Sequence, residues 1–312
     1  MGKIAFIFPG QGSQTVGMGK ILYDQDENTR EIFKQADECL NIPLTNLIFD
    51  GPIEELTKTA NTQPALVTTS VALLRQLEAA GIEPDFTAGH SLGEYSALVA
   101  SKVLSFQDAV YAVRKRGELM EAAVPNKQGA MAAVLGLDAD NLKEVTDQVT
   151  ENGDSVQLAN LNCPGQIVIS GTVAGVEKAS ELAKEKGAKR VLPLQVSGPF
   201  HSELMKPAAE KFANVLTEID FTDATIPVIA NVTAQQVTDA NEVENKLIEQ
   251  LYSPVQWEAS VQYMLDQGVD TFVEIGPGKV LCGLVKKINR RVTTLSVQDP
   301  ESCEQAIATL LK

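Results

Sequence analysis

The chain has 312 residues, 26 basic and 41 acidic side chains for a formal net charge of −15, and 44% hydrophobic positions. This much apolar residue excludes a disordered acidic tail, and no apolar run reaches membrane-spanning length. The acidic balance also excludes a general nucleic-acid binder, which needs a basic footprint.

The length suits roughly two domains of about 150 residues each. Lys3 to Phe8 reads as a buried strand that enters the glycine loop at Pro9-Gly10. Helical periodicity follows at Ile32, Phe33, Ala36 and Leu40, and again from Asn61 to Gly81. Phe86 to Ala88 is a short strand, and Glu94 to Val103 and Phe106 to Val124 are helical. Strands separated by helices of this length imply a parallel sheet. The rhythm then changes. Strands at Ala130–Leu135, Val156–Leu161, Gln166–Ser170 and Arg190–Leu194, with helices at Ala139–Val149 and Val173–Lys186, give the order β-α-β-β-α-β of a ferredoxin-like unit. Its ends carry Pro125-Asn126 and Ser197-Gly198-Pro199, which suit hinges. The expected organisation is a catalytic domain of residues 1–126 and 198–312, with residues 127–197 inserted into it. Pro227–Val232 and Thr271–Ile275 are expected to be further strands of the main sheet.

Cys39, Cys163, Cys282 and Cys303 lie far apart with no C-x-x-C pairing, so neither a zinc site nor a redox dithiol is written in them. The N-terminal apolar run is too short for a secretion signal, and a cytoplasmic location is expected. Asn231-Val232-Thr233 is a formal glycosylation triplet without meaning in that compartment.

The strongest chemical signal is Gly89-His90-Ser91-Leu92-Gly93, a G-x-S-x-G between a strand and a helix. That turn exposes a serine hydroxyl at a helix N-terminus, where developing negative charge is favoured. A serine nucleophile needs a base, and the chain has only two histidines. His90 is adjacent to Ser91 on a tight turn and points away from it. His201 follows 110 residues later at the expected junction back into the main domain. Gly10-Gln11-Gly12-Ser13-Gln14 also follows a strand. Thr15 breaks the dinucleotide fingerprint, so the loop is better suited to offer a backbone N–H to a reacting carbonyl. Glu274-Ile275-Gly276-Pro277-Gly278 reads as a structural turn.

Phe8-Pro9-Gly10-Gln11-Gly12-Ser13-Gln14, Gly89-His90-Ser91-Leu92-Gly93-Glu94, Lys115-Arg116-Gly117, Gly198-Pro199-Phe200-His201 and Glu274-Ile275-Gly276-Pro277-Gly278 occur in that order. With them, the chain resembles the malonyl-CoA:acyl carrier protein transacylases of bacterial fatty acid synthesis over essentially its whole length. The resemblance implies an α/β-hydrolase-like parallel-sheet domain with an inserted ferredoxin-like subdomain. It also implies transfer of malonyl from malonyl-CoA to the phosphopantetheine thiol of holo-acyl carrier protein through a malonyl-serine. It assigns Ser91 as nucleophile, His201 as base, and the backbone N–H groups of Gln11 and Leu92 as oxyanion hole. Arg116 pairs with the malonyl carboxylate, for which a planar guanidinium fork is suited; Arg114 competes for that assignment. Gln250 orients His201 through an oxygen, and Phe200 suits malonyl selection. No metal or cofactor is implied.

Two other readings remain at this stage. A serine hydrolase or thioesterase of the same fold would use water as acceptor, and a carrier-protein scaffold would need neither Ser91 nor His201. Lys279, Lys286, Lys287, Arg290 and Arg291 form a 13-residue segment free of acidic residues. That segment is expected to help dock the carrier protein or the CoA phosphates.

Overall fold

The computed structural model describes residues 2–124, 128–196 and 198–312. Strand β1, Lys3–Phe8, shows how its sequence sets the architecture. Phe6 and Phe8 enter one apolar cluster while Ala5 and Ile7 enter another, so the strand is covered on both faces. A strand buried on both sides reads as a continuous apolar run, and it needs helices on each face. Around it lie β2 (Phe86–Gly89), β7 (Val228–Ile229), β8 (Gln236–Val237), β9 (Val269–Ile275) and β10 (Thr293–Val297). Their order is β10-β9-β1-β2-β7-β8, parallel except for β8.

The second sheet comprises β3 (Gly129–Leu135), β4 (Val156–Cys163), β5 (Gln166–Thr172) and β6 (Arg190–Pro193). It is antiparallel in the order β4-β5-β3-β6, with helices Ala139–Glu151 and Val173–Glu185 in the two crossovers. Ala132 and Val134 of β3 face those helices, whereas Met131 joins the main core. The expected hinge residues Pro125, Asn126 and Ser197 lie outside the described residues. Main-chain hydrogen bonds tie β4 to the segment at Val255, which precedes the helix Trp257–Asp266. Leu161 N–H donates to the Val255 carbonyl at 2.9 Å, and Val255 N–H donates to the Ala159 carbonyl at 2.8 Å.

Two expectations need correction. The strand expected over Pro227–Val232 is only Val228–Ile229, because the chain turns at Ala230, whose carbonyl accepts from Ala234 N–H at 2.9 Å. The two edge strands lie outside the expected elements: β8 has only two residues, and β10 alternates weakly, with only Val297 buried.

The carboxyl ends of β1, β2 and β9 meet at one edge, where open parallel sheets form their clefts. Glu274 fixes one side of that edge. Its buried carboxylate accepts from Leu281 N–H at 3.1 Å and Cys282 N–H at 2.7 Å, capping the helix Val280–Ile288. Burial raises its pKa, while the helix N–H groups oppose that shift. Gly276, two residues on, packs so closely on Pro9 and Ser70 that a Cβ there would clash with both. The Glu-Ile-Gly-Pro-Gly turn therefore backs the Pro9–Gln11 loop. Glu274→Leu should lower unfolding free energy by about 3 kcal/mol, since two buried N–H groups lose a charged acceptor. Denaturant titration checks this, and an unchanged midpoint would contradict the capping role.

Candidate active site

Gly89 and Gly93 flank a turn with no room for side chains. A Cβ on Gly89 would collide with the Gly93 carbonyl group, and one on Gly93 with the Phe8 carbonyl oxygen. Between them Ser91 is forced to φ 51°, a left-handed conformation that costs an L-residue roughly 1–3 kcal/mol. His201, at φ 57°, is held in the same region. The surroundings hold both. Ser91 N–H donates to Asn231 Oδ1 at 2.7 Å, and Asn231 Nδ2 donates to the Gly89 carbonyl at 2.7 Å. His201 N–H donates to the Leu251 carbonyl at 3.1 Å.

Ser91 Oγ lies 2.8 Å from His201 Nε2. His201 Nδ1 lies 2.8 Å from the Gln250 main-chain carbonyl, which can only accept. Nδ1 is therefore the protonated nitrogen, leaving Nε2 as acceptor for the serine proton. Burial, followed by the Arg116 charge, depresses the His201 pKa to about 3, so the ring is neutral near pH 7.

Arg116 is 1% exposed. Its Nη1 donates to Gln63 Oε1 at 2.9 Å, and Nη2 donates to Gln250 Oε1 at 2.8 Å and to Ser91 Oγ at 3.2 Å. Nε has no partner, and burial lowers the pKa. Among the described residues no carboxylate forms an ion pair with it. Arg114 is engaged elsewhere, with Glu118 at 2.7 Å and Asn61 at 2.6 Å. Of the two arginines, only Arg116 hydrogen-bonds to Ser91 Oγ among the described residues.

Gln11, His90, Ser91, Leu92, Arg116 and His201 line a cavity of about 110 Å³, walled on its apolar side by Met120, Met131, Leu194, Val196 and Phe200. The Gln11 and Leu92 main-chain N–H groups donate to no acceptor among the described residues. His90 makes no contact with Ser91 Oγ. Its Nε2 lies 2.8 Å from Asn162 Oδ1 on β4, and its ring packs against Trp257. A larger hollow of about 390 Å³, bordered by Ile82, Pro84 and Ile226, lies at the opposite end of the strands and holds none of these groups.

Sequence reasoning missed three side chains. Asn231, dismissed as part of a glycosylation triplet, is buried and pins the nucleophile turn. Gln63 supports Arg116, and Glu94 accepts from Gln250 Nε2 at 2.7 Å. Only Glu94, at the end of the serine motif, carried a signal. Within the basic segment, the exposed Lys286 donates its ammonium to the Arg290 and Val292 carbonyls and keeps its charge. Lys287 donates to Gln166 Oε1 at 2.9 Å.

The chain belongs to the acyl transferase family, whose acyl transferase domain model matches residues 5–306. It is 65% identical over 310 residues to the malonyl CoA-acyl carrier protein transacylase of Bacillus subtilis strain 168, covering 99% of this chain and 98% of that one. Its fold superposes on an acyl carrier protein S-malonyltransferase from Vibrio cholerae with a TM-score of 0.95 at 46% identity, covering 97% of this chain and 99% of that one. A malonyl-transacylase in complex with its type II PKS acyl-carrier protein matches with a TM-score of 0.95 at 43% identity, covering 98% and 99%. Among the described residues no helix is long and apolar enough to cross a membrane.

Because the Gly93 Cα abuts the backbone of Phe8, Gly93→Ala should displace the turn itself. We expect a loss of about 3 kcal/mol in stability together with loss of acylation at Ser91. Wild-type stability measured by denaturant titration would contradict this account of the motif.

Proposed function

We propose that the chain is a malonyl-CoA:acyl carrier protein transacylase that works through a malonyl ester on Ser91, in the cytoplasm, with residues 127–197 as an inserted subdomain over the site. The observation that carries the malonyl assignment is Arg116. A buried guanidinium 3.2 Å from the nucleophile, with no carboxylate in direct contact among the described residues, calls for an acyl group that brings its own.

Ser91 Oγ attacks the thioester carbonyl as His201 Nε2 takes its proton. The oxyanion receives the Gln11 and Leu92 N–H groups, which donate to no acceptor among the described residues. Collapse breaks the C–S bond, and the proton on His201 goes to the departing CoA sulfur. In the second half the carrier-protein thiol gives its proton to His201 and attacks the ester, and Ser91 regains the proton as it leaves. The apolar wall of Met120, Met131 and Phe200 disfavours water as the alternative acceptor. A plain esterase has no use for Arg116.

Intact-mass analysis after incubation with equimolar malonyl-CoA and acetyl-CoA should show a malonyl adduct on the wild type and none on Ser91→Ala. Arg116→Ala should lose malonyl transfer by at least roughly a hundredfold more than acetyl transfer, since only malonyl presents a carboxylate. Adduct on Ser91→Ala, or equal losses in Arg116→Ala, would reject these roles.

The pH dependence has a definite sign. A histidine with a depressed pKa stays a base as pH falls and is protonated only near its lowered value, about 3. The kcat/KM for malonyl-CoA should therefore stay level from pH 8 to pH 5. A tenfold decline per unit below pH 6.5 would show an ordinary imidazole instead.

The basic segment is assigned a role in docking the carrier protein, which the family resemblance implies to be acidic. Arg290→Glu with Arg291→Glu should raise the carrier-protein KM several-fold at low salt, and less at high salt. An unchanged KM at low salt would remove the segment from that surface.

A further inference from the structure

The Gln250 side chain stands between two buried charges. Its Nε2 donates to the Ser91 carbonyl at 3.0 Å and to Glu94 Oε2 at 2.7 Å, while its Oε1 accepts from Arg116 Nη2 at 2.8 Å. Glu94 is 2% exposed and sits in the first turn of the helix Gly93–Ala100. Besides Gln250, its Oε2 accepts from Asn231 N–H at 3.3 Å. It makes no ion pair with Arg116, although both are buried around the same amide.

An amide presents an acceptor on one side and donors on the other. If Gln250 flipped, its NH₂ group would face the guanidinium, donor against donor, and Arg116 Nη2 would lose its acceptor. The orientation seen is the one in which Nε2 has two acceptors, of which Glu94 supplies the only side-chain one among the described residues.

We propose that Glu94 is a positioning residue for acyl-group selection: by accepting from Gln250 Nε2 it fixes the Gln250 oxygen toward Arg116 and so holds the guanidinium beside Ser91. The inserted amide has a second effect. A carboxylate directly on Arg116 would occupy the fork and neutralise the charge that a substrate carboxylate needs. Placed one amide away, Glu94 orients Arg116 without competing for it. Burial raises the Glu94 pKa to about 7, and a carboxyl oxygen accepts the Gln250 bond in either protonation state. The role therefore rests on reach rather than on charge.

This inference deepens the malonyl-transferase reading, so the wild type is measured first: no malonyl adduct at Ser91 rejects that parent reading. With the adduct established, the ratio of kcat/KM for malonyl-CoA to kcat/KM for acetyl-CoA is compared in two conservative variants. Glu94→Asp keeps the charge but withdraws the oxygen from Gln250; Glu94→Gln keeps an oxygen in reach without the charge. The ratio should fall by roughly tenfold or more in Glu94→Asp, about the worth of one buried hydrogen bond, and stay within about threefold of wild type in Glu94→Gln. Parallel losses of malonyl and acetyl transfer in Glu94→Asp would show that Glu94 only buttresses the turn, which overturns the proposal. A ratio lost in Glu94→Gln and kept in Glu94→Asp would make charge the active property and overturn it equally.

Discussion

Arg116 carries its charge at 1% exposure with two amide oxygens and one hydroxyl as partners. Desolvating a guanidinium so completely costs several kcal/mol, and neutral oxygens return only part of it. Much of the surrounding sequence follows from holding that group in place. Gln63 comes from the long helix Thr59–Ala79, Arg116 from Phe106–Ala123, and Gln250 from the end of Ala240–Gln250. Three helices far apart in sequence thus converge on one cation, and after burial that cation is the next cause depressing the His201 pKa. In the proposed reaction an incoming carboxylate offsets that charge, which couples selection of the acyl group to the readiness of His201.

Gln250 is the joint of the site. Its main-chain carbonyl sets the His201 tautomer, its side-chain oxygen receives Arg116, and its side-chain nitrogen holds the Ser91 carbonyl. The left-handed backbone at Ser91 and His201 persists because these bonds, with Asn231, over-determine it. The antiparallel sheet is tied into the same region. Asn162 on β4 reaches His90, and Gln157 Oε1 accepts from Glu203 N–H at 2.8 Å, two residues beyond His201.

Much of this was legible in the sequence wherever the signal was local. The split pattern of the antiparallel unit, the strand-to-helix serine turn and the first two main-sheet strands all rest on periodicity and glycine spacing. The weakly alternating β10 and the two-residue β8 fell below that threshold. In the candidate site, Ser91 and His201, which the fold brings within 2.8 Å, stood out in the sequence because their residue types are rare or sit in a tight motif. Asn231, 140 residues from Ser91, has no such signal: an asparagine becomes a clamp only when the fold brings it to the turn. Which Gln250 oxygen meets His201 was equally invisible, since spacing along a chain does not separate a main-chain carbonyl from a side-chain one.

The central claim is that a buried, unpaired Arg116 recognises the distal carboxylate of the acyl group. Calorimetric affinity of Ser91→Ala for malonyl-CoA and acetyl-CoA isolates that recognition from chemistry. The account predicts malonyl-CoA to bind at least roughly tenfold more tightly, with the preference abolished by adding Arg116→Met. Equal affinities for the two thioesters in Ser91→Ala would contradict it.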